Sequence, residues 1–283
     1  MTGDRPPVPL ASPPPASLAA AARTIVATAD LDAKIALSHR AAAQWFARDL
    51  SLRLPSLDPP APKRPGRPAE PRLLAPRDMP RRSSDSRKGH IALLHAIAHI
   101  ELNAVDLAWD IVGRFAGERM PRSFFDDWVT VGREESIHFG LLCDRLADFG
   151  ARYGDLPAHD GLWQAAEETG GDLTARLAIV PLVLEARGLD ITPSMIAKAE
   201  ARGDLADAAV FRRIYEDEKK HVYFGAKWFR FLCDRERRPA EATFHALVRK
   251  HFRSPLKPPF NDRARSQAGL TPGFYRPLET IRT

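Results

Sequence analysis

The chain has 283 residues, 44% of them hydrophobic and 28% charged, with a formal net charge of +6, which is enough apolar material for a sizeable core in one large or two small domains. Two cysteines are too few for a disulfide framework or a zinc knuckle. The proline-rich start MTGDRPPVPLASPPPAS lacks the apolar stretch of a signal peptide, and uninterrupted apolar runs fall short of the roughly 18 residues of a membrane helix, so a cytoplasmic protein with no membrane partner is expected.

The charge is uneven. Residues 53–88 carry ten Lys/Arg against four Asp/Glu, and residues 249–283 carry eight against two, while 89–248 holds 19 basic and 26 acidic residues. An acidic middle at −7 thus lies between two basic flanks at +6 each. Such flanks read either as nucleic-acid contacts or as arms laid across the protein's own acidic core. The second reading is preferred, because no nucleic-acid motif accompanies the charge.

In chain order, residues 1–16 are a proline-rich, disordered N-terminus. Residues 17–52 hold two short helices, with Asp30 as a cap between them. Residues 53–86 form a connector whose stretch 55–82 contains nine prolines, which excludes a regular helix or a central strand. From 87 to 238 the apolar spacing is helical. Leu94, Ile97, Ala98, Val105, Ala108, Ile111 and Val112 form one stripe that ends near Gly117. A second helix runs from Pro121 to Gly150, and ARYGDLPAHDGLW reads as a loop. A third covers about 162–187 and stops at Gly188, with Pro181 placed to kink it. Thr192 and Pro193 then open a short helix to Arg202, and a fourth long helix covers 205–236. Residues 239–283 are a basic helix followed by an extended tail. No strand period appears, so the fold class is all-α: a four-helix bundle with extra N-terminal helices and extended basic arms.

Of nine histidines, two have glutamate three residues earlier: Glu135 with His138 and Glu218 with His221. Residues i and i+3 share a helix face, so each pair presents a carboxylate and an imidazole together. Thirty-four residues before Glu135 stands Glu101, and 33 before Glu218 stands Glu185. This is one helical hairpin written twice. About 16 residues at 1.5 Å each carry a helix roughly 24 Å to its turn, and a similar length returns. All six side chains then meet at one depth. Glu101 lies on the apolar stripe, and Glu218 follows Phe211, Ile214 and Tyr215. Four carboxylates in one core repel and are costly to desolvate, whereas two divalent cations cancel the charge. Four carboxylates with two imidazoles suit paired iron or manganese. The bland alternative is a set of solvated helix acids.

Glu134 and Asp217 each precede one of these glutamates. They read either as surface charge or as acceptors for the outer N–H of a ligand histidine, Asp217 toward His138 and Glu134 toward His221. Lys219 and Lys220 read as outward charges, His95 and His99 as packing or hydrogen-bonding histidines, and Tyr215 and Tyr223 as candidate substrate-pocket residues. His159 and Asp160 read as turn or substrate-contacting residues.

With these six positions the sequence resembles the ferritin-like di-metal carboxylate superfamily, whose pattern is one Glu on each of two helices and Glu-x-x-His on two more. The stretches HIELNAVDLAWD, EESIHF, YGDLPAHDGLW, LEARGLD and DEKKHV look more closely like an uncharacterised bacterial family within it, domain of unknown function 455, over roughly 20–270. The resemblance implies a ferritin-like bundle and a di-iron site holding two Fe ions, with Mn as the alternative. It implies an O2-dependent oxidoreductase of the hydroxylase or oxygenase kind, acting on a small-molecule or RNA-borne substrate and supplied by a reductase. Ferroxidase, iron storage or detoxification is the second expectation, and an RNA-binding or RNA-modifying protein the third. The arms favour a monomer or dimer over a cage.

Overall fold

The computed structural model describes residues 17–52, 60–75, 78–80, 86–252 and 254–279. The expected disordered N-terminus and part of the connector lie outside them. The molecule is an all-α bundle. Its elements are α1 (Leu18–Ala27), α2 (Leu31–Phe46), α3 (Arg87–Arg114), α4 (Arg122–Asp148), α5 (Gly161–Glu168), α6 (Leu173–Ile179), a π-helical segment (Val180–Glu185), α7 (Ala186–Ala201), α8 (Leu205–Arg235), α9 (Ala240–His251), α10 (Asp262–Gln267) and α11 (Pro272–Tyr275). The strands β1 (Leu73–Leu74) and β2 (Ala158–His159) form a two-residue parallel pair.

Short turns after α3 and α7 make two antiparallel hairpins, α3–α4 and α6–α7–α8, which pack through α4 and α8. The core divides along the bundle. Val105–Val112 of α3, Phe124–Val131 of α4, the α6 and π segment, and Val222–Cys233 of α8 fill one end. Leu94–Leu102, Phe139–Leu146, Ala199 and Ala208–Ile214 fill the other. On α4 and α8 the acid and histidine positions fall in sequence between these two apolar sets, whereas Glu101 lies within the second set and Glu185 within the first.

Two starts have clear causes. Ser17 Oγ accepts from Ala20 N and Asp30 Oδ1 from Ala33 N, which caps α1 and α2. These helices lie over α3 and α4, where buried Lys34 pairs with buried Asp106 and Trp45 Nε1 donates to Asp126 (2.8 Å). The connector straps α3 from outside. Arg67 reaches Asn103 (2.9 Å) and Asp106 (2.8 Å), Arg64 pairs with Asp160 and Glu167, and Gly66 sits where any Cβ would meet the Ala27 carbonyl.

Three expectations change. The third helix is not continuous from 162 to 187, because Thr169–Asp172 interrupts it and Asp172 caps a new start by accepting from Ala175 N. Gly188, Thr192 and Pro193 neither stop nor start a helix: α7 runs through all three. Pro193 frees the carbonyl of Leu189, four residues back, and Asn261 Nδ2 donates to it at 3.1 Å, replacing the lost partner. That contact comes from the tail, which is not simply extended. Asn261 caps α10, and Phe274 and Tyr275 of α11 bury their rings. Finally, α3 is long and apolar enough to cross a membrane on length and hydropathy alone, but 67% of its most apolar window is buried inside the bundle. Every residue from Glu101 to Gly113 is buried.

Candidate metal centre

Glu101 lies mid-α3, Glu135 and His138 mid-α4, Glu218 and His221 mid-α8, and Glu185 at the last position of the π segment. The structure brings Glu101, Glu135, His138 and Glu218 into one group, each offering an atom within 4.8 Å of the others. His138 Nδ1 lies 3.2 Å from Glu101 Oε2 and 3.3 Å from Glu135 Oε2. His221 Nδ1 lies 2.8 Å from Glu135 Oε1 and 3.8 Å from Glu218 Oε1. Glu135 therefore stands between the two imidazoles, one oxygen toward each. Glu185 belongs to no hydrogen bond of the group, although its carboxyl feels the charges of Glu218, Glu135 and Glu101.

The outer edges of both rings are held from the opposite hairpin. His138 Nε2 meets Asp217 Oδ2 at 3.0 Å, and Arg213 Nε grips the same oxygen at 2.6 Å. His221 Nε2 meets Glu134 Oε2 at 2.8 Å, and Lys220 reaches the other Glu134 oxygen at 2.5 Å. A carboxylate at Nε2 favours the tautomer with the proton there and turns the Nδ1 lone pair inward. Lys220 is thus not simply an outward charge: it neutralises the acid that orients His221. Arg213 had escaped notice, though its i,i+4 spacing to Asp217 is readable.

The electrostatics are those of a crowded acid cluster. Burial, then the charge of Glu135, hold the Glu101 carboxyl well above the usual range, and burial with Glu218 does the same to Glu185. Burial and Glu135 raise Glu218. Burial also opposes ionisation of Glu135, but His221 and His138 outweigh it and hold Glu135 below the ordinary value. Burial pulls both imidazoles down, yet their acid partners win and both lie well above 6.5.

This donor set could hold a metal ion. Glu135 Oε1, Glu185 Oε2, Glu218 Oε2 and His221 Nδ1 are all buried and make no well-aligned hydrogen bond. Buried polar atoms in native proteins are otherwise satisfied, and these four are all lone-pair donors of the N/O type that iron and manganese accept.

Of the remaining candidates, Tyr215 is half-buried and its hydroxyl receives Asn261 Nδ2 at 3.1 Å, whereas Tyr223 is 48% exposed on the outer face of α8. His99 bonds Tyr153 (2.8 Å) and the His159 carbonyl (3.1 Å), and His95 accepts from Gly154 N (3.0 Å). His159 belongs to β2 and Asp160 holds the connector's Arg64. A second acid–histidine group, His90, Asp204 and Asp207, is bridged by Arg145, which bonds both aspartates.

No solved structure matches the chain. An uncharacterised protein of Haemophilus influenzae (strain ATCC 51907 / DSM 11121 / KW20 / Rd) is 43% identical over 211 residues, covering 72% of this chain and 73% of that one. The sequence also matches the family described as "Protein of unknown function (DUF455)" over residues 27–276, and the chain belongs to that family.

Proposed function

We propose that Glu101, Glu135, His138, Glu185, Glu218 and His221 hold two iron or manganese ions in a ferritin-like four-helix bundle, and that the protein is an O2-dependent oxidoreductase. The observation that carries this reading is the shared carboxylate. Two imidazoles from two hairpins turn Nδ1 toward opposite oxygens of Glu135, while a separate acid holds each Nε2. One glutamate from each of two helices and a Glu-x-x-His from each of two others is the donor set of di-metal bundles. Two adjacent redox-active ions would supply electrons to O2 in pairs.

The chain's own residues supply the rest. Glu135 stays ionised between the imidazoles and so would be a ready ligand. The two apolar core sets keep bulk water from the cluster. Asp217 and Glu134 hold the imidazoles in the ligating orientation. Arginines of the connector and tail are engaged within the molecule, Arg64 and Arg67 on α3 and α5 neighbours and Arg265 on Asp190. That supports a small substrate over nucleic acid.

The test is anaerobic Fe(II) loading followed by oxygen. The wild-type chain is expected to retain about two ions and to consume O2 in proportion. O2 uptake no greater than that of a Glu135→Ala, Glu218→Ala double variant would refute the redox reading.

A further inference from the structure

The π segment has an outer side that the metal reading does not use. There Leu182, Val183 and Leu184 form one wall of a cavity of about 350 Å³, and the C-terminal tail forms the other with Phe252, Leu256 and Phe260. That volume is within the range of small-ligand sites. The wall is apolar, and three cations stand around it: Arg187, Lys257 and Arg265.

The cations are unequally engaged. Arg187 Nη1 donates to Asp190 and to the carbonyls of Lys257 and Pro259, so it ties the tail to α7. Arg265 is 3% exposed. Its Nε and Nη2 grip Asp190 at 2.8 and 2.7 Å, and its guanidinium carbon lies 5.1 and 4.7 Å from the ring centroids of Phe260 and Tyr275. Its Nη1 is buried and has no hydrogen-bond partner. Lys257 is exposed at the rim and forms no ion pair among the described residues. Among the described residues Asp190 is the one carboxylate that pairs with these three cations, which leaves a local excess of positive charge. An anion at the cavity rim would give Lys257 the charged partner it lacks among the described residues.

We propose that this cavity binds a single-chain amphipathic carboxylate. Its headgroup sits between Lys257 and Arg265, and its alkyl chain lies along Leu182, Val183 and Leu184. The charge excess selects an anion, the apolar wall selects a hydrocarbon body, and the size selects a medium-length chain. The wall is the same π segment that ends in Glu185. None of the six acid and histidine residues lines the cavity, so a chain that loads no metal would leave this site standing.

The experiment is calorimetric titration of the full chain with decanoate, decanol and decylamine, each kept below its aggregation concentration. Decanoate is expected to bind at least about tenfold more tightly than the other two, a difference of about 1.4 kcal/mol. Lys257→Glu, an exposed change that leaves the core untouched, is expected to weaken decanoate about tenfold. Leu184→Trp, which fills the cavity, is expected to abolish binding in a variant whose circular dichroism is unchanged. No decanoate binding, equal affinity for decanol, or full affinity in Lys257→Glu would each overturn the proposal.

Discussion

The two hairpins carry the same order of acids and histidine on different backbones. In α3–α4 both helices are regular through the site, and Glu101 and Glu135 each place an oxygen within 3.3 Å of His138 Nδ1. In the second hairpin Glu185 ends a π segment, His221 finds Glu135 of the other hairpin at 2.8 Å, and its own Glu218 stands at 3.8 Å. The spacings of 34 and 33 residues set the depth of each glutamate, but the helix type sets its direction. Pro181 lacks the N–H for a regular turn, so the wider π turn falls just before Glu185. In the first half His138 therefore meets both of its own acids, whereas around His221 the Oε1 of Glu135 and the Oε2 atoms of Glu185 and Glu218 make no well-aligned hydrogen bond.

The asymmetry breaks most sharply at Glu135. If it serves both halves, Glu135→Ala loses both ions, and metal analysis falls from about two per chain to nearly none. Glu185→Ala removes a donor of the second half alone and retains about one ion. Equal loss in the two variants would mean that the halves do not load separately.

The outer acids sharpen the same contrast, since each hairpin orients the other's histidine. Asp217→Ala is expected to weaken the first half and Glu134→Ala the second, each by about 10- to 100-fold in metal affinity. Competition against a metal-binding dye would read both. A structural role alone would lower the melting temperature of the metal-free chain without moving the affinity.

Glycines at the helix crossings give the next effect. A Cβ on Gly225 of α8 would stand 2.5 Å from Pro181 Cβ, and one on Gly132 of α4 would stand 2.6 Å from Trp109 Nε1. Overpacking of this kind costs about 1–3 kcal/mol. Gly225→Ala is expected to destabilise the chain and also lower its metal content, because it presses on the segment that positions Glu185. Gly132→Ala, set against a tryptophan whose Nε1 is held by Ser38 at 2.7 Å, is expected to destabilise with less loss of metal.

Much of this was legible in the sequence where one residue type has one local consequence. Asp30 caps α2, most of the apolar stripe of α3 is buried, and five of the six acid and histidine positions lie mid-helix, with Glu185 ending the π segment. What escaped depends on distant partners. Pro193 looks like a helix start until Asn261, 68 positions later, repairs the carbonyl it frees. Gly188 looks like a stop, but tertiary packing overrides the propensity of one residue. Pro181 signals a disturbed helix, yet a π turn rather than a kink follows from the packing of its ring on Gly225. Lys220 reads as a surface charge until Glu134 of the other hairpin comes within 2.5 Å.

The smallest effect is the most diagnostic of how the halves differ without metal. Glu185 is half-buried, but its Oε2 is buried near other carboxylates with no hydrogen bond to offset desolvation, so its ionised form is disfavoured. Glu185→Gln keeps the shape and removes the charge, and is expected to stabilise the metal-free chain by about 1 kcal/mol. The Glu101 carboxyl is likewise held above the usual range, but it meets His138 Nδ1 at 3.2 Å, a contact that Glu185 lacks. Glu101→Gln is therefore expected to lower stability by about 1 kcal/mol. Urea unfolding in the presence of chelator reads both. Opposite signs would show that the first half is built to stand without metal and the second is not. The same sign in both would mean that acid repulsion is spread evenly over the cluster, and the contrast between the hairpins would then be one of geometry alone.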